Sequence, residues 1–268
     1  FRFQVSSFRF QVSGFKFQVS GFRFQVMRYL ITFSYLGTNY HGWQIQPNGN
    51  TVQEELNKAI STLCREEILT TGAGRTDTGV HARMMTAHFD ANNPVGDGAQ
   101  FVYRINKLLP KDIAVSEIKE VDSEFSARFS ATERTYRYYI TKDKDPFTLD
   151  TVAYINFDLD IELMNKAASI LFEYEDFTSF SKVNTDTKTN NCTITHAEWH
   201  MEGKILVFRI SANRFLRNMV RAIVGTLIDI GRKKITIAEF RKIIESKDRC
   251  KASTSAPACG LFLEDIKY

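Results

Sequence analysis

Residues 193–201 and 205–211 are two alternating apolar and polar runs that meet around Glu202-Gly203. A connection this short closes only an antiparallel hairpin, because a parallel crossover needs about a dozen residues or more. A purely parallel, doubly wound sheet is therefore excluded. The alternation recurs over 28–36, where Tyr29, Ile31, Phe33 and Tyr35 share one side. Shorter strand-like runs lie at 67–72, 84–89, 113–121, 136–141, 152–155 and 261–266. Between them the period changes to that of a helix. Thr51 followed by Glu54 has the spacing of a capping box, and Leu56, Ala59, Ile60 and Leu63 then fall on one helical face. Thr236 with Glu239 repeats the signal before 237–246. Helices are also expected over 98–109 (ended by Pro110), 161–172 and, as one long segment, 215–231. Strands and helices mix in both halves, so the fold class is α+β with a mainly antiparallel sheet. Pro146 falls in a polar stretch and marks a boundary between 27–147 and 148–268.

The first 26 residues stand apart. They repeat the unit Phe-(Arg/Lys)-Phe-Gln-Val-Ser-(Gly/Ser), whose apolar residues alternate with a strand period rather than a coiled-coil heptad. Such units favour self-pairing β structure; they also read as translated repeat DNA upstream of a start at Met27. The expectation is a tail that is either foreign to the protein or disordered, and it is left out of the fold. The tail distorts the charge balance. The chain has 35 basic and 31 acidic residues, a net +4. Arg2, Arg9, Lys16 and Arg23 supply the whole excess, leaving 31 basic against 31 acidic residues from Met27 onward. The bulk charge thus gives no argument for a polyanionic partner. Cys64, Cys192, Cys250 and Cys259 show no C-x-x-C spacing and are expected to be free thiols in a reducing cytoplasm. No run is apolar enough to span a membrane: the longest, around 215–230, is broken by Arg217, Arg221 and Asp229.

The densest chemistry lies in Gly72-Ala73-Gly74-Arg75-Thr76-Asp77-Thr78-Gly79-Val80-His81-Ala82. Its glycines permit a sharp turn and close approach of backbone to a ligand. It presents a carboxylate, Asp77, beside a guanidinium, Arg75. That pairing suits nucleophilic or general-base work on an anionic polymer, or simply a turn in which Asp77 bonds its own backbone. A phosphate-cradling P-loop is disfavoured, since no Gly-Lys-(Ser/Thr) follows. A metal held by Asp77, His81 and His88 is disfavoured because the spacing is not that of a helical ligand pair. His196 and His200 read as surface or packing residues.

At this loop the chain resembles the TruA family of tRNA pseudouridine synthases. Gly74-Arg75-Thr76-Asp77-x-Gly79-Val80-His81-Ala82 matches the family signature throughout. Further matches follow in order. They are Tyr40-His41-Gly42-Trp43-Gln44 with Thr51-Val52-Gln53, then 125–132 with Arg134, Tyr136 and Tyr138, then Asp176-Phe177-Thr178-Ser179-Phe180. Phe215-Leu216-x-x-Met219-Val220-Arg221-x-Ile223-Val224-Gly225 and Ala256-Pro257-Ala258-x-Gly260-Leu261 complete the set. One departure is Thr135, where members of the family often carry a second basic residue. The resemblance covers Met27 to Tyr268.

It implies two similar α/β subdomains sharing the sheet, with a central RNA-binding cleft. It implies an isomerase that converts uridine to pseudouridine in the tRNA anticodon stem-loop, at positions 38, 39 and 40, with no metal or other cofactor; the alternatives are a related synthase with a different RNA target and a catalytically silent RNA-binding protein. It implies a cytoplasmic homodimer whose subunits share one tRNA. Asp77 matches the essential aspartate, acting as a nucleophile or through a glycal intermediate. Tyr136 matches the active-site tyrosine, Arg221 the arginine that pairs with the carboxylate, and Arg75 the residue that holds or replaces the extruded nucleotide. Thr76, His81, Arg128, Arg134, Tyr138, Arg214 and Arg217 are expected substrate contacts. Local charge agrees with this expectation. Segment 203–234 holds eight basic residues and one acid, with Arg214, Arg217 and Arg221 spaced to share a face of the expected helix. Arg128, Arg134, Arg137, Lys142 and Lys144 interleave with Tyr136, Tyr138 and Tyr139. Both stretches are expected to grip RNA, through phosphates and stacked bases.

Overall fold

The alternating runs pair into one sheet that passes through both halves of the chain. The computed structural model describes residues 26–182 and 189–268. Apart from Val26, the repeat tail lies outside the described residues. In chain order the elements are β1 (Met27–Tyr35), α1 (Val52–Cys64), β2 (Thr71–Gly72), β3 (His81–Ala91), α2 (Gly98–Leu108), β4 (Ile113–Val121) and β5 (Glu133–Thr141). β6 (Ala153–Tyr154), α3 (Ile161–Ile170), β7 (Ile194–Glu202), β8 (Ile205–Ala212), α4 (Met219–Gly231), α5 (Ile237–Glu245) and β9 (Leu261–Lys267) follow. The sheet order is β4-β1-β3-β9-β5-β8-β7, with β2 on β3 and β6 on β5. Among the described residues, only β3–β9 and β5–β6 pair in parallel. The expected α+β class and mainly antiparallel sheet are what the chain adopts. No helix among the described residues is long and apolar enough to cross a membrane.

The last strand, β9, sits in the middle of the sheet and joins two cores. One gathers Ile31, Phe33, Leu56, Ile60, Phe89 and Ile105 with Leu263 and Ile266 of β9. The other gathers Trp199, Phe208, Ile210, Ile223, Leu227 and Phe240 with Leu261. Each fully buried side chain of this size contributes about 1.5–3 kcal/mol, and Tyr136 packs against both clusters. The opposite face carries a small cluster of Tyr139, Val152, Val207 and Phe262. Neighbours on β5 therefore divide: Tyr138 enters the helix-covered core and Tyr139 the other face.

Local signals set the helix starts. Thr51 accepts from the Glu54 amide, while the Glu54 carboxylate turns to Lys58, so only half of that capping box forms. At α5 both arms of the Thr236–Glu239 box are present. The β7–β8 turn is Gly203-Lys204, since Glu202 pairs with Ile205. One helix differs from expectation. α4 begins at Met219, not at 215, because Asn218 takes a left-handed conformation (φ 65°). Arg214 and Arg217 thus precede the helix and do not share a helical face with Arg221.

Candidate active site

Asp77 lies between residues that are each tied to a neighbouring element. The Trp43 amide donates to the Thr76 carbonyl at 3.3 Å, and the Gly79 amide donates to the Tyr40 carbonyl at 3.3 Å. Gly42 permits this approach: its φ is +92° and a Cβ there would lie 2.4 Å from the Thr76 carbonyl oxygen. The Thr76 hydroxyl meets the Tyr35 hydroxyl at 2.8 Å. The Val80 amide closes the turn on the Asp77 carbonyl at 3.1 Å. A loop with this many anchors presents its carboxylate in a fixed orientation.

The second half of the chain supplies the counter-charges. Arg221 Nη1 stands 3.5 Å from one Asp77 carboxylate oxygen and Arg217 Nε 3.8 Å from the other. These are ion-pair distances, longer than hydrogen bonds, and the Asp77 side chain keeps 23% of its surface exposed. Arg221 is itself held, since its Nε donates to the Ala256 carbonyl at 2.8 Å. The Ala256 amide returns a bond to the Arg221 carbonyl at 2.9 Å. Beside the pair, Tyr136 projects from β5 next to a register shift against β9 at Thr135/Tyr136, the kind of irregularity that re-aims a side chain. Its ring meets Phe215 edge-on at 5.2 Å. Burial, reinforced by the Asp77 charge, raises the Tyr136 phenol well above its ordinary pKa, so it stays a protonated donor near neutrality. No hydrogen bond occupies its hydroxyl among the described residues.

Asp77, Arg75, Thr76, Arg221, Tyr136 and Phe215 line a small pocket of ≈ 30 Å³. It shares Arg75, Asp77 and Arg221 with a cleft of ≈ 820 Å³, which Arg217, His41, Gln44, Arg249 and Ser255 also line. The structure therefore brings together Asp77, Tyr136, Arg221, Arg75, Thr76 and Arg217.

Other expected contacts have interior or distant roles. His81 is fully buried. Its Nδ1 accepts the Gly37 amide at 2.9 Å, which leaves Nε2 to donate to the Cys259 carbonyl at 3.1 Å. Burial holds its pKa below the ordinary value, so it is a neutral brace between the first turn and the C-terminal segment. Tyr138 is also fully buried, donating to the Pro257 carbonyl at 2.8 Å. Arg134 spends its guanidinium on the carbonyls of Ala131, Asn213, Ala73 and Arg128. Arg128 is exposed over the Phe129 ring, and neither it nor half-buried Arg214 lines either cavity. Thr135 is buried against the Ser211 hydroxyl at 2.7 Å, so a basic side chain would not suit the position as built. His88 accepts the Ala127 amide, and no group of three or more His, Cys, Asp or Glu able to hold a metal occurs among the described residues. Sequence reasoning missed Asn218, Arg249 and Ser255. The available signal was an Asn, one of the few residues that tolerate a left-handed backbone, just before a long apolar run.

Comparison with known proteins adds the family. A family model described as tRNA pseudouridine synthase matches residues 31–130 and 167–268. The chain is 56% identical over 241 residues to tRNA pseudouridine synthase A of Parabacteroides distasonis, covering 90% of this chain and 96% of that protein. It is 56% identical over 244 residues to the protein of the same name from Bacteroides thetaiotaomicron, covering 90% of each. A more distant relative of that name, from Acetivibrio thermocellus, is 42% identical over 240 residues, covering 89% of this chain and 98% of that protein.

Proposed function

The chain belongs to the tRNA pseudouridine synthase family, and we propose that Asp77 is the carboxylate that drives its reaction. The activity is that of an isomerase converting uridine to pseudouridine in tRNA. In that reaction the N1–C1′ bond breaks, the uracil turns, and C5 bonds to C1′. The hydrogen leaves C5 and N1 gains one, so substrate and product are isomers. Asp77 attacks the sugar or assists departure of the uracil through a glycal; both routes need an ionised, oriented carboxylate in a site that limits water.

The observation that carries this reading is the pair of arginines set against the two oxygens of Asp77 above the Tyr136 pocket. Arg221 and Arg217 stand against its two oxygens and fix its direction. Tyr136 offers a face for the extruded uracil and an unoccupied hydroxyl for one of its polar atoms. The target base must leave its stack, and Arg75, exposed at the mouth, fills the gap it leaves. By the same reading the substrate is the anticodon stem-loop at positions 38, 39 and 40. It binds in the cleft between the subdomains 27–147 and 148–268, and two subunits of a cytoplasmic homodimer share one tRNA. Light scattering tests the dimer.

The test of the chemistry is release of tritium from tRNA labelled at uridine C5, since pseudouridine cannot form without losing that hydrogen. Asp77→Asn is expected to keep its affinity for tRNA while release falls more than about a thousandfold. Full turnover by that variant removes Asp77 from its role.

A further inference from the structure

The segment 252–258 crosses the start of α4 as a strap. Gly225 allows the crossing, since a Cβ there would lie 2.0 Å from the Thr254 carbonyl oxygen. The Thr226 hydroxyl accepts the Ser253 amide at 3.2 Å, and Arg221 and Ala256 exchange bonds as described above. At the centre of the strap is Ser255. Its Oγ accepts from Asn218 Nδ2 at 2.7 Å and from Arg249 Nη2 at 2.9 Å. Arg249 is fixed in turn, its Nη1 donating to the carbonyls of Ala252 at 3.3 Å and Ser253 at 3.2 Å.

A hydroxyl has two lone pairs and one proton. Both lone pairs of Ser255 are filled by donors, one of them charged. The proton has no acceptor among the described residues, and Ser255 stands on the wall of the ≈ 820 Å³ cleft with Arg217 and Asp77. A bond accepted from a guanidinium polarises the O–H and makes it a better donor. The hydroxyl is thus preset to give its proton to something in the cleft.

We propose that Ser255 is a substrate-binding residue that donates its hydroxyl proton to a phosphate oxygen of the RNA. Arg75, Arg217 and Arg249 surround the same wall, so the acceptor that enters there on a polyanion is a phosphate. Asn218 and Arg249 are the positioning residues: they orient the hydroxyl and do not themselves need to reach the RNA. The inference rests on the tRNA-cleft reading above.

The experiment compares wild type, Ser255→Ala and Ser255→Thr in C5 tritium release, with melting curves for each. Ser255→Ala is expected to raise KM about tenfold, the effect of losing one hydrogen bond to a charged group, with kcat within about twofold. Ser255→Thr, which restores the hydroxyl, is expected to recover the wild-type KM. A neutral methylphosphonate at one position of the target loop should weaken wild type more than Ser255→Ala. An unchanged KM in Ser255→Ala overturns the proposal. So does a loss confined to kcat, which would mean that Ser255 acts only through the arginines. Equal responses to the methylphosphonate at every position overturn the phosphate assignment. If wild type releases no tritium, the enzyme reading fails and the inference falls with it.

Discussion

Two stretches of the sequence carry clustered basic residues, and the fold uses them in different ways. In 214–221 two of the three cations face the cleft: Arg217 and Arg221 both meet Asp77, while Arg214 lines neither cavity. In 128–144 three of the five are engaged by the protein itself. Arg134 binds four carbonyls, Arg137 pairs with Glu202 and lies over the Tyr139 ring, and Lys142 pairs with Asp158. Elsewhere in 203–234 four more cations are paired: Lys204 with Asp143, Lys233 with Asp160, and Arg232 and Lys234 with Asp229. The difference comes from backbone geometry. Along a strand successive side chains point to opposite faces, so Arg134 and Arg137, three residues apart on β5, fall on opposite sides of the sheet and cannot form one patch. In the turn before α4, the left-handed Asn218 leaves Arg217 and Arg221 free to converge on one carboxylate. Charge density along a chain measures how many cations exist, not how many remain available to a ligand.

The largest test of that contrast is Arg221→Met. It removes one of the two counter-charges and the link from Asp77 to the strap, with an expected fall in single-turnover tritium release of about a hundredfold, equivalent to about 2.7 kcal/mol. Arg221→Lys is expected to fall between Met and wild type. A lysine brings its donors to one nitrogen at the chain end, where arginine holds the Ala256 carbonyl and faces Asp77 from two nitrogens of a rigid plane, Nε and Nη1. Equal activities for Lys and wild type would show that charge alone matters.

Arg134→Met should strike stability instead. The guanidinium is the shared donor for four carbonyls drawn from the loop after β2, the 128–131 turn and the end of β8. Losing it leaves those groups without their common partner, at an expected cost of about 2–4 kcal/mol in urea denaturation. The folded fraction should retain wild-type affinity for tRNA. Weakened binding with unchanged stability would return Arg134 to the RNA surface.

Much of the fold was legible in the sequence because its determinants are local. The 113–121 strand, the start of α1 behind Thr51 and the full capping box before α5 all follow from period and side-chain chemistry. The insertion of β9 between β3 and β5 was not, because it pairs residues from distant parts of the chain. The start of α4 was misplaced because Phe215 and Leu216 continue the apolar period backwards through a residue whose φ is positive. At the site, the motif drew attention to Asp77, Arg75, Tyr136 and Arg221, which do meet. It also drew attention to His81, Tyr138 and Arg134, whose polar atoms are turned inward. A motif marks positions where a residue type matters. Whether it matters to the ligand or to the scaffold depends on where each polar atom finds its partner, and only the folded chain gives that.

The smallest expected effect is the sharpest check on the contrast between the two stretches. Lys142 is exposed at the far end of β5, and its partner Asp158 is fully exposed. Paired surface charges of this kind contribute little to stability and are screened by salt. If the β5 stretch does not grip RNA, Lys142→Gln leaves the melting temperature, the tRNA affinity and the salt dependence of binding unchanged. Arg217→Gln in the same assay should reduce the slope of log K against log[salt] by about one, the value for loss of a single cation acting on the phosphate field. The comparison is made by filter binding across a salt series, where a slope is less sensitive than an affinity to differences in active fraction. A slope that drops equally in both variants would show that the β5 cations reach the RNA despite their internal pairs. The division between a gripping cluster and a structural one would then be wrong.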